Sequence, residues 1–186
     1  VEDLNRFYAL QYQPQQITLA CVGDLDGATM PALANEMFGR WPRGTGDPEQ
    51  WLVPLEPPTA SAKRTEAALA VQTAYVLLGF SSVRLGDPQL YPLDVLAHVI
   101  GQGRSSRLYE TIIRTQQLAY SIGAWNDTPY DPGVFAVSFR TDPEKIEPTI
   151  AAVRQVLEAV KAEGISAAEL AKAQRAVTAS YLFGLQ

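Results

Sequence analysis

The stretch from Pro42 to Ala62 constrains the fold more than any other part of the sequence. Gly44, Gly46, Pro48, Pro54, Pro57 and Pro58 fall within it, and at that density they exclude a regular helix or strand over about twenty residues. A connection of that length separates two substructures. The division expected is 1–55 as the end of a first α+β unit, 56–64 as the linker, and 65–186 as most of a second α+β unit. The start at Val1 and the apolar helical pattern running through Tyr181, Leu182 and Phe183 to the last residue make the chain read as an excerpt of a longer protein.

Hydrophobic spacing then places the elements. Leu4, Phe7, Tyr8 and Gln11 predict a short helix ending before Pro14, and Ile17 to Val22 form an apolar run of strand length. Asp26 is placed to cap a helix burying Met30, Leu33, Ala34, Met37 and Phe38, with Gly39 as its stop. Beyond the linker, Ala68 to Phe80 reads as a long strand. Asp87-Pro88 opens a helix burying Leu93, Leu96, Ala97 and Ile100. A glycine-rich corner, Gly101 to Arg104, leads to a helix capped by Ser105 or Ser106, with Leu108, Tyr109, Ile112 and Ile113 on one face. Alternation from Leu118 to Ala124 and from Val134 to Arg140, around a turn at 127–133, predicts an antiparallel hairpin. Asp142-Pro143 starts a helix with Ile146, Ile150, Val153, Leu157 and Val160 inward, ended by Gly164. Ser166 and Glu169 form a capping box for the last helix, with Ile165 and Leu170 as its hydrophobic staple. Hairpin strands and paired helices make the fold class α+β, with antiparallel sheet units backed by helices.

Composition removes several function classes. Fifteen Lys and Arg against twenty Asp and Glu, a net charge of −5, argue against nucleic acid as a partner. No apolar run is long enough to span a bilayer, so the chain reads as soluble, with a bacterial-type cytoplasm or periplasm both open. His98 is the only histidine, and there is no H-x-x-E-H and no cysteine pair, so this chain by itself is expected to bind no metal. His98 reads as a half-buried structural residue, and Cys21 as a small hydrophobe within a strand. The corner at 101–106 lacks a Walker lysine and follows a helix, which favours a tight turn over a phosphate cradle. Asp24 and Asp26 read as capping residues, and Trp41, Trp51 and Tyr130 as cover for a core edge.

Arg114 and Tyr120 form the pair with functional reach. Arg114 lies in the last turn of a helix and Tyr120 six residues on in the next strand, so a guanidinium and a phenol can approach one spot. The helix dipole alone also accounts for an arginine at that end, at about 0.3–1 kcal/mol.

The ordered motifs Leu4-Asn-Arg-Phe-Tyr8, Tyr12-Gln-Pro14, Val22-Gly-Asp24, Phe38-Gly-Arg-Trp-Pro42, Gly101-Gln-Gly-Arg-Ser-Ser-Arg-Leu-Tyr109 and Leu118-Ala-Tyr-Ser121 resemble the zinc metallopeptidase family of pitrilysin, insulin-degrading enzyme and mitochondrial processing peptidase. The resemblance covers nearly the whole chain and is to the segment that follows the zinc-binding one. It implies a clamshell peptidase whose two halves enclose an unfolded peptide, with zinc held by an H-x-x-E-H motif in another segment. The partners implied are a peptide substrate and the zinc-bearing segment or subunit. The cofactor implied is zinc in the complete enzyme. Arg114 and Tyr120 match the family's substrate-contacting pair, at an interval one residue shorter than in some members. The resemblance also implies that peptide adds a strand to an exposed sheet edge. The same resemblance extends to non-catalytic family subunits that keep the fold for assembly, and composition does not separate the two.

Overall fold

The computed structural model describes residues 1–44 and 61–184. The chain divides into two compact units, Val1–Glu56 and Pro57–Gln186. Most of the expected linker lies outside the described residues, and its described part, 61–64, forms no helix or strand.

In the first unit, α1 (Glu2–Gln11) and α2 (Met30–Phe38) are joined by a 3-10 turn, Pro14–Gln16, and an irregular segment. Helix α1 ends before Pro14 as its spacing predicts. The run Ile17 to Val22 is not a strand. A strand needs a neighbour for its N–H and C=O groups, and among the described residues none pairs with it; Val22 is fully exposed. Cys21 is therefore exposed as well, not packed inside a sheet. Asp26 caps the turn ahead of α2 by accepting from the Ala28 N–H at 3.0 Å, while Thr29 occupies the cap position itself. Gln13 is the only buried residue among those described in this unit; the apolar side chains Phe7, Tyr8, Leu33, Met37 and Phe38 stay exposed.

The second unit is built on a three-stranded antiparallel sheet of β1 (Ala74–Ser81), β2 (Ser121–Asp127) and β3 (Val134–Thr141), in the order β1-β3-β2. The long strand expected from Ala68 begins only at Ala74, because Ala74 pairs with Thr141, the last residue of β3. Upstream of that pair no partner exists to continue the ladder. Strands β2 and β3 form the predicted hairpin, closed around residues 128–133. Tyr130 in that loop is 87% exposed and covers no core edge, Trp41 is exposed too, and Trp51 lies outside the described residues.

Helices α3 (Leu90–Gly101), α4 (Ile146–Glu163) and α5 (Ala167–Gly184), with a π-helix at Tyr109–Thr115, complete this unit. Ile100, Leu108, Ile112, Val137 and Val153 are fully buried and cluster with Ala124, Phe135 and Phe139. The segment expected to be an ordinary helix after the glycine corner is π-helical, with Leu108 and Ile112 turned into the core. In α4 the buried stripe is Thr149, Ala152, Val153 and Val156, while Ile150, Leu157 and Val160 lie at its margin. The stripe is rotated from the expected one because small residues pack closest. Thr149 tolerates burial by donating its hydroxyl to the Lys145 carbonyl at 2.6 Å.

Two contacts lock the corner between α3 and the π-helix. A Cβ on Gly101 would stand 2.2 Å from the Ala124 backbone nitrogen, so only glycine lets α3 approach β2 this closely. Arg107 grips Glu169 through both carboxylate oxygens, at 2.7 and 2.9 Å, and donates to the Gly164 carbonyl at 2.9 Å. Glu169 also closes the predicted capping box: it accepts from the Ser166 N–H at 2.7 Å, and its own N–H donates to Ser166 Oγ at 3.2 Å. The staple residues Ile165 and Leu170 share one groove with Leu93 and Leu96 of α3.

Arg107 first, and the Ser166 N–H next, hold the Glu169 carboxyl at about 2, below its usual 4.5. Because the folded form binds this proton less readily than the unfolded chain, the clamp stabilises fully above about pH 4.5 and fades as pH falls towards 2. Arg107→Gln should raise the Glu169 value towards 4.5 and flatten the acid limb of the stability curve in that window, as followed by NMR titration and denaturant melts. An acid limb unchanged by the substitution would contradict this role.

Candidate functional site

The glycine-rich corner forms no anion cradle. Ser106 is buried and its hydroxyl donates to the Gly103 carbonyl at 2.8 Å, so it does not cap the helix with its side chain. Gln102 donates to the Ala124 carbonyl at 2.7 Å, which places a side chain against the outer edge of β2. No such hydrogen bond reaches the outer edge of β1 among the described residues. Among the described residues the two edge strands thus differ: a side chain bonds to the β2 backbone and none to that of β1.

Arg114 stands in the last turn of the π-helix with its side chain 71% exposed, and its Nη1 donates to both oxygens of Glu110 at 3.0 Å. The chain then turns through Gln117, the one described non-glycine residue with positive φ, 51°, into Tyr120 just ahead of β2. The Tyr120 hydroxyl donates to Asp142 Oδ1 at 2.5 Å, and Lys145 pairs with the other oxygen of Asp142 at 3.1 Å. Arg114 and Tyr120 share no hydrogen bond. The cation beside Tyr120 is Arg140, whose guanidinium lies 5.9 Å from the ring centroid.

Those contacts set the electrostatics. The hydrogen bond to Asp142 raises the Tyr120 phenol above its ordinary value, and burial adds to the effect. Reciprocally, Tyr120 and then Lys145 hold the Asp142 carboxyl low, and Asp142 holds the Lys145 ammonium high. Tyr120 therefore stays protonated at any physiological pH, its O–H directed at Asp142 and its oxygen lone pairs available to a ligand. Tyr120, Asp142 and Lys145 line a cleft of about 170 Å³ together with Ile113, Gln117 and Leu118.

A larger depression of about 520 Å³ lies on the sheet itself, touching all three strands. Strand register puts Tyr75, Arg140 and Ser121 in one row across the sheet, and Leu77, Ser138 and Gly123 in the next. Tyr75 is 71% and Leu77 64% exposed, whereas the alternate residues Val76, Phe139 and Ile122 pack on the core. Sequence reasoning did not single out Arg140 or the Asp142–Lys145 pair as site residues. The available signal was the period of two in β3, which sends Ser138 and Arg140 to the side opposite Val137 and Phe139.

The chain's own donors do not fit a zinc centre. His98 is half-buried on α3, Cys21 belongs to the other unit, and among the described residues no group of three or more His, Cys, Asp or Glu side chains comes together.

The Tyr120 geometry is open to a direct check. Asp142→Asn should lower the Tyr120 value back towards that of a free phenol, as read by ultraviolet or NMR titration, because the charge that favours the protonated phenol is gone. A phenol that titrates identically in the variant would show that Asp142 does not hold it.

Comparison with known proteins agrees with this architecture. The chain is 28% identical to the uncharacterized zinc protease Rv2782c of Mycobacterium tuberculosis over 98% of its own length and 42% of that protein's. It is 22% identical to the uncharacterized zinc protease YmxG of Bacillus subtilis over 100% of its length and 44% of that protein's. The chain thus spans less than half the length of these relatives. Among solved structures, its fold matches a protease from Helicobacter pylori with a TM-score of 0.75 at 23% identity, covering 100% of this chain and 45% of that one. It also matches the peptidase M16 inactive domain from Pseudomonas fluorescens with a TM-score of 0.69 at 20% identity, covering 96% and 42%. A chain of Complex III2 from Candida albicans matches over 62% of this chain and 30% of its own, with a TM-score of 0.55 at 17% identity. Residues 1–177 match the family described as "Peptidase M16 inactive domain", and the chain belongs to that family.

Proposed function

We propose that this chain is the non-zinc-binding segment of a peptidase that encloses and cleaves peptides, and that its contribution is to bind the peptide. The family match over residues 1–177 is the observation that carries the reading. Zinc-protease names among the relatives support it at the level of the whole enzyme. Catalytic metal chemistry then belongs to a zinc-bearing segment or subunit elsewhere, a reading supported by the lack of any His, Cys, Asp or Glu cluster among the described residues.

What the chain offers a peptide is surface. Strand β1 ends the sheet among the described residues, and a peptide added there as a further strand would be bound through its main chain with broad sequence tolerance. Beside it lie the exposed Tyr75 and Leu77, and such apolar exposure on a sheet face marks a binding surface. Arg114 and Tyr120 are the residues we assign to substrate contact near the reacting bond. For Arg114 this requires leaving Glu110, an exposed pair of small worth. Tyr120 can accept from the peptide without giving up its bond to Asp142.

A second reading is a non-catalytic family subunit serving assembly, to which the fold likeness with a chain of Complex III2 lends support. The two readings part on activity. The full-length protein, supplied with its zinc-bearing segment, should cut an unfolded peptide, and a zinc chelator should stop it. In that enzyme Arg114→Ala should lower kcat/KM by roughly ten- to a hundredfold, the worth of one charge-assisted hydrogen bond. No cleavage by the complete protein would favour the assembly reading, and unchanged kinetics in the variant would remove Arg114 from the site.

A further inference from the structure

Arg140 occupies an unusual place for a cation. It sits on β3, the central strand, with Tyr75 opposite on one side and Ser121 on the other. Among the described residues no ion pair forms at it, as is also true of Arg84, Arg154 and Arg175; what sets Arg140 apart is its place on the central strand beside an aromatic ring. The nearest acid along the chain, Asp142, is already engaged by Tyr120 and Lys145. An acidic chain has thus left a guanidinium without a counter-charge in the middle of a sheet.

The surroundings hold that guanidinium ready for a ligand. It lies 5.9 Å from the Tyr120 ring centroid, inside the range of about 6 Å where the ring face attracts a cation. The ring is fixed in turn by the Tyr120 hydroxyl bond to Asp142. Arg140 lines the depression of about 520 Å³ together with Tyr75, Leu77, Ser121 and Ser138, where hydroxyl and apolar groups surround a single positive charge. A planar guanidinium takes a carboxylate through two parallel hydrogen bonds, and stacking on an aromatic face leaves its donor edge free for that purpose.

The geometry points to Arg140 as a specificity-determining residue: a peptide seated in the outer-face depression, against Tyr75 and Leu77, places an acidic side chain on the Arg140 guanidinium. This inference rests on the peptide-binding function proposed for the chain and adds the class of peptide that it selects, one with a glutamate flanked by apolar residues. Charge complementarity decides the occupant, because a neutral apolar partner would bury the guanidinium without a counter-charge, at high cost.

The test uses the full-length protein, treated with a zinc chelator so that no peptide is cut, and two fluorescent peptides identical except for a central Glu or Gln. Anisotropy titrations should show the Glu peptide binding about ten- to a hundredfold more tightly. Arg140→Gln should bring that ratio close to one by weakening the Glu peptide more than the Gln peptide, and Arg140→Lys should keep part of the preference. A ratio near one in the unaltered protein, or a preference that survives Arg140→Gln, would overturn the assignment. If neither peptide binds and Arg140→Gln lowers the melting temperature, the face is covered by another part of the parent protein, and the peptide-binding function fails along with this inference.

Discussion

Burial of one face of the β1-β3-β2 sheet is the contact on which the second unit depends. Val76, Leu78, Val137, Phe139, Ile122 and Ala124 meet Ile100, Leu108, Ile112 and Val153 on the helical side. The fully buried Val137, Ile100, Leu108, Ile112 and Val153 each contribute about 1.5–3 kcal/mol. Because strand side chains alternate, the same strands that supply this core must present Tyr75, Leu77, Ser138 and Arg140 on the other side. The exposed face is thus a consequence of the core, and shifting the register by one residue would exchange the two. Gly101 sets how closely α3 can approach β2, and the Arg107 clamp holds the α4–α5 turn against the start of the π-helix.

From that arrangement follows a division of labour within the sheet. Helix α3 and Gln102 lie against the β2 side, while among the described residues no further strand pairs with β1 beyond β3. Where the hairpin begins, Tyr120, Asp142 and Lys145 form a small charged cluster with Arg140 stacked beside it. An edge strand, exposed Tyr75 and Leu77, and the Arg140 guanidinium are what the proposed peptide-binding role would use.

Much of this was legible in the sequence, for identifiable reasons. The capping box at Ser166 and Glu169, the hairpin around 128–133 and the end of α1 before Pro14 all depend on interactions within a few residues, which local spacing encodes. Ile17 to Val22 looked like a strand because its composition suits one, but strand formation depends on a partner that local sequence does not specify. The π-helix carrying Arg114 escaped for a related reason, since a stripe of Leu108 and Ile112 fits either helical period. Arg114 and Tyr120, proposed here as substrate contacts, were singled out from their motif, and each bonds to a different carboxylate, Glu110 and Asp142. The neighbour that joins Tyr120 is Arg140, twenty residues further along and brought there by strand pairing. A cation–ring contact of that kind becomes visible only once the register is known.

The central claim is that the outer face of the sheet receives peptide. Its most direct test is photo-crosslinking in the full-length protein with an uncleaved peptide, placing the photoreactive residue at Leu77 on the sheet or at Glu158 on the exposed side of α4. Capture of the peptide from Leu77 and not from Glu158 is the result this account predicts. Equal capture from both positions, or capture from Glu158 alone, would contradict it.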